Sequence, residues 1–170
     1  PDQSSAASDV YKRQIIDGKT VGPFATGTAC AALVAGASKE VSDMMYDFGT
    51  EFGRAFQLVD DLLDLTGDPE MGKPRGTDVH EGKMTLPIIH ALTILHGSER
   101  EHLADVLNNF SDDRWNELTT LLEISGSFSY TRQLIQNHVD RALEIISNLP
   151  SSDAKDLISE VALISRNRKV

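Results

Sequence analysis

The feature that most constrains this chain is the run from Phe48 to Asp64, where two unlike sets of side chains share one helical period. At 3.6 residues per turn, Gln57, Asp60, Asp61 and Asp64 fall within roughly 100° of one another, and Phe48, Phe52, Ala55, Val59, Leu62 and Leu63 fall on the other side. One face is acidic and the other belongs in a core. Three carboxylates at i, i+1 and i+4 repel one another, so a helix face that meets only water has no reason to collect them. A divalent cation would supply the reason; a solvated acidic face is the alternative that spacing alone leaves open.

The surrounding sequence moves the balance toward the cation. Ser38 to Leu65 reads as one long helix, with Ser38 or Ser42 as candidate caps. Thr66 to Lys83 then contains Gly67, Pro69, Gly72, Pro74, Gly76 and Gly82, which predicts a loop. Loops of that length within compact domains are usually functional or disordered. Lys73, Arg75 and Lys83 place positive charge beside the three aspartates. Mg²⁺ is usually held by one or two carboxylates together with substrate phosphates. Carboxylates for a metal and lysines for phosphate oxygens are the parts needed to hold a diphosphate.

Upstream, Ile15 to Ala37 is rich in Ala and Gly, which suits helices whose backbones approach closely. Pro23 admits two readings. If a helix runs through it, the Lys19 carbonyl loses its N–H partner beside Thr20; otherwise a helix starts near Pro23 and Lys19 lies in a loop. Gly18-Lys19-Thr20 is rejected as a phosphate loop, because Arg13 stands where that motif needs glycine. Downstream, Leu86, Ile89, His90, Leu92 and Leu95 predict a helix stopped by Gly97, and Ser98 to Glu101 has a capping-box pattern. Arg114 to Ile124, Phe128 to Leu149 and Ser152 to Arg168 are the remaining predicted helices. No alternating strand pattern occurs, so the class is all-α.

Totals narrow the function further. The chain has 170 residues, 40% apolar and 25% charged, enough for one globular domain with a core. A formal charge of −10 argues against nucleic acid as a partner, since no basic stripe exists to replace phosphate counterions. Cys30 is the only cysteine, which excludes an intrachain disulfide and agrees with the reducing cytoplasm, the expected location. The longest apolar run, Ala29 to Ala37, is too short to be a transmembrane segment, and no secretory signal is seen. Residues 1–14 read as a non-native or truncated leader, and 15–170 as the domain. The five histidines form no zinc motif. Asp112-Asp113 reads as charge at a helix N-terminus, and Trp115 and Tyr130 as packing residues.

Phe56-Gln57-Leu58-Val59-Asp60-Asp61-Leu62-Leu63-Asp64, with Gly72-Lys73-Pro74-Arg75-Gly76-Thr77-Asp78 and Glu81-Gly82-Lys83-Met84-Thr85-Leu86-Pro87, resembles the second aspartate-rich region of the trans-polyprenyl diphosphate synthases. The likeness covers roughly residues 15 to 170 and is greatest to bacterial long-chain synthases that make quinone tails. It implies the C-terminal portion of an isoprenoid synthase-type helical bundle, a Mg²⁺-dependent prenyltransferase that joins isopentenyl diphosphate head-to-tail to an allylic diphosphate. Asp60, Asp61 and Asp64 would then hold the metal, and Lys19, Lys73 and Lys83 the diphosphate oxygens. Thr20, Gln57 and the Lys19 carbonyl would turn negative dipole ends toward the allylic cation, making Lys19, Thr20 and Gln57 the catalytic candidates. Asp78 would order the loop.

Two departures follow. The family's first aspartate-rich motif has no counterpart in residues 1–14, and Pro23 stands where the family usually has a bulkier apolar residue. The chain alone is therefore expected to be inactive and, with apolar helix faces left open, to self-associate. A homodimer is implied for the full-length enzyme. The alternative is a non-catalytic partner subunit of a complete synthase.

Overall fold

In a computed structural model of the chain, residues 20–67 and 75–167 are described. They form helices α1 (Gly22–Val34), α2 (Lys39–Thr66), a single turn α3 (Thr77–His80), α4 (Leu86–Ile94), α5 (Gly97–Asn108), α6 (Trp115–Ile124), α7 (Ser127–Ser147) and α8 (Asp153–Asn167). No strand occurs among them, in line with the all-α expectation. The chain divides into two compact units, with breaks after Val59 and after Gln133. Both breaks fall inside helices, α2 and α7.

The first unit is built on the α1–α2 pair. At Pro23 the described backbone favours a helix that runs through it: Thr20 and Val21 already form a helical turn leading into α1, with Val21 at φ −66°, ψ −43°. Lys19 lies outside the described residues. The helix ends in a Schellman motif, with Gly36 at φ +79°, Gly36 N–H donating to the Leu33 carbonyl and Ala37 N–H to that of Ala32. Ser38 then accepts Val41 N–H at 3.4 Å and caps α2, whereas Ser42 turns inward and donates to the Ala29 carbonyl at 3.1 Å. The helices approach closely, through glycines of α2 set against buried Ala25 and its neighbours on α1. A Cβ at Gly49 would lie 2.6 Å from the Phe24 carbonyl oxygen and 2.7 Å from Ala25 Cα; one at Gly53 would lie 3.0 Å from Val21 Cα. Phe24 fills the adjoining space against Phe52 and Phe56, with ring centroids 5.2 and 5.3 Å away. Of α1 itself only Ala25 is buried; Leu33, at 56%, and Val34, at 89%, are exposed in its last turn.

The second unit packs the end of α2 with α4, α5 and α6 around Leu62, Leu65, Ile88, Leu103, Leu118 and Leu122, all fully buried. The predicted loop from Thr66 to Lys83 is broken by α3. Gly97 does not stop a helix but starts one, at φ +56°. The reason lies in Leu95, whose apolar spacing suggests helix but which is buried in an extended conformation (φ −73°, ψ 145°), ending α4 early. The Ser98–Glu101 capping box is likewise not used; His96 occupies the N-cap position without a side-chain cap. Trp115 is buried as expected, whereas Tyr130 is 44% exposed and stacks on His90 at 4.1 Å.

Candidate functional site

Among the described residues, the side chains singled out in sequence lie on the last turns of α2 and on the segments that meet it in each unit. In the first unit, Thr20 Oγ1 donates to Gln57 Oε1 at 2.8 Å, so two of the three catalytic candidates touch. Lys19 and Lys73 both lie outside the described residues.

In the second unit the acidic face is not a solvated face. Asp61 is 3% and Asp64 7% exposed, and Asp60 is half-buried. Burial of a carboxylate is costly unless hydrogen-bond donors surround it. Here backbone N–H groups supply some of them. Asp64 Oδ2 accepts Asp78 N–H at 3.1 Å, and the Asp64 carbonyl accepts Gly76 N–H at 2.8 Å. Asp61 Oδ2 lies 3.4 Å from the N–H of Leu86, the first residue of α4, where the helix dipole favours negative charge.

Lys83 is exposed, with Nζ 2.8 Å from Asp78 Oδ1 and 2.6 Å from Glu81 Oε2. These two carboxylates hold its ammonium protonated well above the ordinary lysine range. Asp78 thus joins the loop to α2, donating from its backbone to Asp64, and to itself, accepting from the Lys83 side chain. The start of the same segment is wedged by Trp115: Gly76 has φ +71°, and a Cβ there would collide with the indole. The Arg75 guanidinium lies 4.9 Å above that ring. Sequence reasoning missed the seat that Trp115 provides, since no local pattern links residues 76 and 115.

Among the described residues, no group of three or more His, Cys, Asp or Glu side chains is arranged to hold a metal ion. The donor chemistry nonetheless fits a hard cation that takes one or two carboxylates and completes its shell with water and phosphate oxygens. Asp60, the least buried of the three aspartates, is the direct candidate.

The same helical arrangement is found in solved prenyl-chain synthases. A polyprenyl synthase from Caulobacter crescentus, crystallised with calcium and isoprenyl diphosphate, superposes with a TM-score of 0.84 at 30% identity over 92% of this chain and 48% of that one. The chain belongs to the polyprenyl synthetase family, whose sequence model matches residues 2–123. It is 31% identical over 167 residues to an all-trans-nonaprenyl-diphosphate synthase of Rhodobacter capsulatus, covering 98% of this chain and 51% of the relative. It is 33% identical over 160 residues to the octaprenyl diphosphate synthase of Escherichia coli, covering 91% and 49%. The expected likeness to bacterial long-chain synthases is therefore met, and the chain spans about half the length of these curated relatives.

Proposed function

We propose that this chain supplies the second aspartate-rich half of a prenyltransferase site, which joins isopentenyl diphosphate to an allylic diphosphate with the help of Mg²⁺. The observation that carries the reading is the end of α2, where half-buried Asp60 stands beside two anchored carboxylates that hold the Lys83 segment. Family membership supports it, as does the calcium and isoprenyl diphosphate in the Caulobacter crescentus structure.

Asp60 would ligate the cation directly, with Asp61 and Asp64 close by or acting through water. Bound Mg²⁺ would neutralise the diphosphate as the allylic C–O bond ionises. Lys83, with Lys19 and Lys73, would bind the diphosphate oxygens, Lys83 exchanging one of its carboxylate partners for phosphate. The Gln57 amide oxygen and Thr20 hydroxyl, already bonded to each other, would present fixed dipoles to the developing carbocation. The homodimer and the cytoplasmic location belong to the same proposal for the full-length enzyme.

Incorporation of labelled isopentenyl diphosphate into a longer allylic diphosphate tests it. This chain alone should give no turnover, since the α2 carboxylates would form one wall of the site. Supplied with a chain carrying another aspartate-rich helix, it should become active, and Asp60→Ala should lower the rate about a thousandfold, roughly 4 kcal/mol of transition-state stabilisation. Activity unaffected by Asp60→Ala would favour the reading as a non-catalytic partner subunit.

A further inference from the structure

We infer that Asp61 and Asp64 act as positioning residues, strapping the segment Gly76–Leu86 to the end of α2 and so setting where the Lys83 ammonium stands. The inference rests on the diphosphate-binding reading above and assigns two of its three carboxylates a different task.

The strap has two fastenings with a brace between them. At the first, Asp64 takes two backbone donors, Gly76 N–H on its carbonyl and Asp78 N–H on its carboxylate. The brace is Asp78, whose carbonyl accepts Lys83 N–H at 2.7 Å while its Oδ1 accepts Lys83 Nζ at 2.8 Å. A shift of Asp78 therefore carries Lys83 with it. At the second fastening, Asp61 reaches Leu86 N–H at 3.4 Å, the longest and weakest of the set.

That second fastening fills a local vacancy in capping. Thr85 occupies the N-cap of α4 with the extended backbone of a capping residue (φ −75°, ψ 162°), yet its side chain makes no cap bond. Its hydroxyl is buried, with Thr85 only 1% exposed, and has no hydrogen-bond partner among the described residues. The acceptor a helix start requires comes from α2 instead. Two carboxylates one turn apart thus grip the two ends of one loop. The third, Asp60, is the least buried of the set.

Amide hydrogen exchange in the metal-free chain tests the strap independently of any ligand. Asp64→Ala should speed exchange at Asp78 at least tenfold, while the Leu118 and Leu122 amides of α6 keep their rates. Asp64→Asn retains an oxygen acceptor of nearly the same size and should restore most of the protection. The same pair of changes at Asp61 should act on the Leu86 amide. Unchanged exchange in both alanine variants, or asparagine variants as labile as the alanine ones, would overturn the strap. Should an alanine variant fail to fold, through-bond coupling between the Asp78 amide nitrogen and the Asp64 carboxylate carbon in the unaltered chain decides the point, and its absence counts against it.

Binding of Mn²⁺ with inorganic pyrophosphate gives the readout that a merely structural role would not move. Asp64→Asn should recover at least tenfold of the affinity lost in Asp64→Ala, whereas Asp60→Asn should recover none of that lost in Asp60→Ala. Equal losses for the two Asp64 variants would make Asp64 a ligand and reject the positioning role. If the unaltered chain bound no Mn²⁺-pyrophosphate, the diphosphate reading would fail for this chain, and the exchange rates would still decide the strap.

Discussion

The two units use opposite means to bring a second segment onto the long helix α2. In the first, α1 lies against α2 through apolar contact, with Gly49 and Gly53 removing the side chains that would hold the backbones apart and Phe24 filling the space beside them. In the second, the Gly76–Leu86 segment is attached through backbone N–H groups that point at two buried carboxylates. Apolar contact is non-directional and is limited by volume. A carboxylate strap depends on direction, and its strength comes from burial and from the number of donors it collects. The difference suits the proposed tasks: a packed helix pair carries Gln57, whereas a lysine that must meet phosphate needs a segment set in one orientation.

The comparison can be broken most sharply at Gly49. Gly49→Ala places a methyl against the Phe24 carbonyl, Ala25 and the Thr28 hydroxyl, two of them groups of the α1 backbone, and should cost about 3 kcal/mol. Urea denaturation should record this as a lower midpoint; an unchanged midpoint would show that glycine does not limit the approach. On the polar side, Thr85→Val removes a buried hydroxyl that has no partner among the described residues while keeping the side chain's shape, so it should be neutral or stabilise by up to about 1 kcal/mol. A loss of similar size would mean the hydroxyl is bonded in solution and that Asp61 does not cap α4 alone.

The smallest expected effect concerns His90, which sits in the second unit with Nδ1 2.9 Å from Ser127 Oγ. Burial disfavours its imidazolium and lowers its pKa from the ordinary 6.5. Below about pH 6.5 the unfolded chain then binds more protons than the folded one, so stability present at neutral pH is lost on acidification. His90→Gln should reduce the drop in urea midpoint between about pH 7.5 and about pH 5.5. An equal or larger drop in the variant would remove His90 from the account.

Much of this could be read in advance. The long helix runs Lys39–Thr66 against an expected Ser38 to Leu65, and Phe48, Phe52, Ala55, Val59 and Leu62 are buried as their spacing requires. Leu63 is the exception, being half-buried. The later helices are displaced by one to two residues at their ends, except where Leu95 leaves the helical path to enter the core.

Helical period and local breakers settle class, element order and the clustering of Gln57, Asp60, Asp61 and Asp64 on one side of α2, because they act between neighbours in the chain. Whether that side meets water, metal or protein is a matter of residues 14 to 25 positions away, and no local pattern encodes it. Asp64 and Asp78, or Asp61 and Leu86, become partners only when the segment folds back and excludes solvent. Spacing therefore identified the three carboxylates as unusual, and burial separated half-open Asp60 from the two that hold the loop.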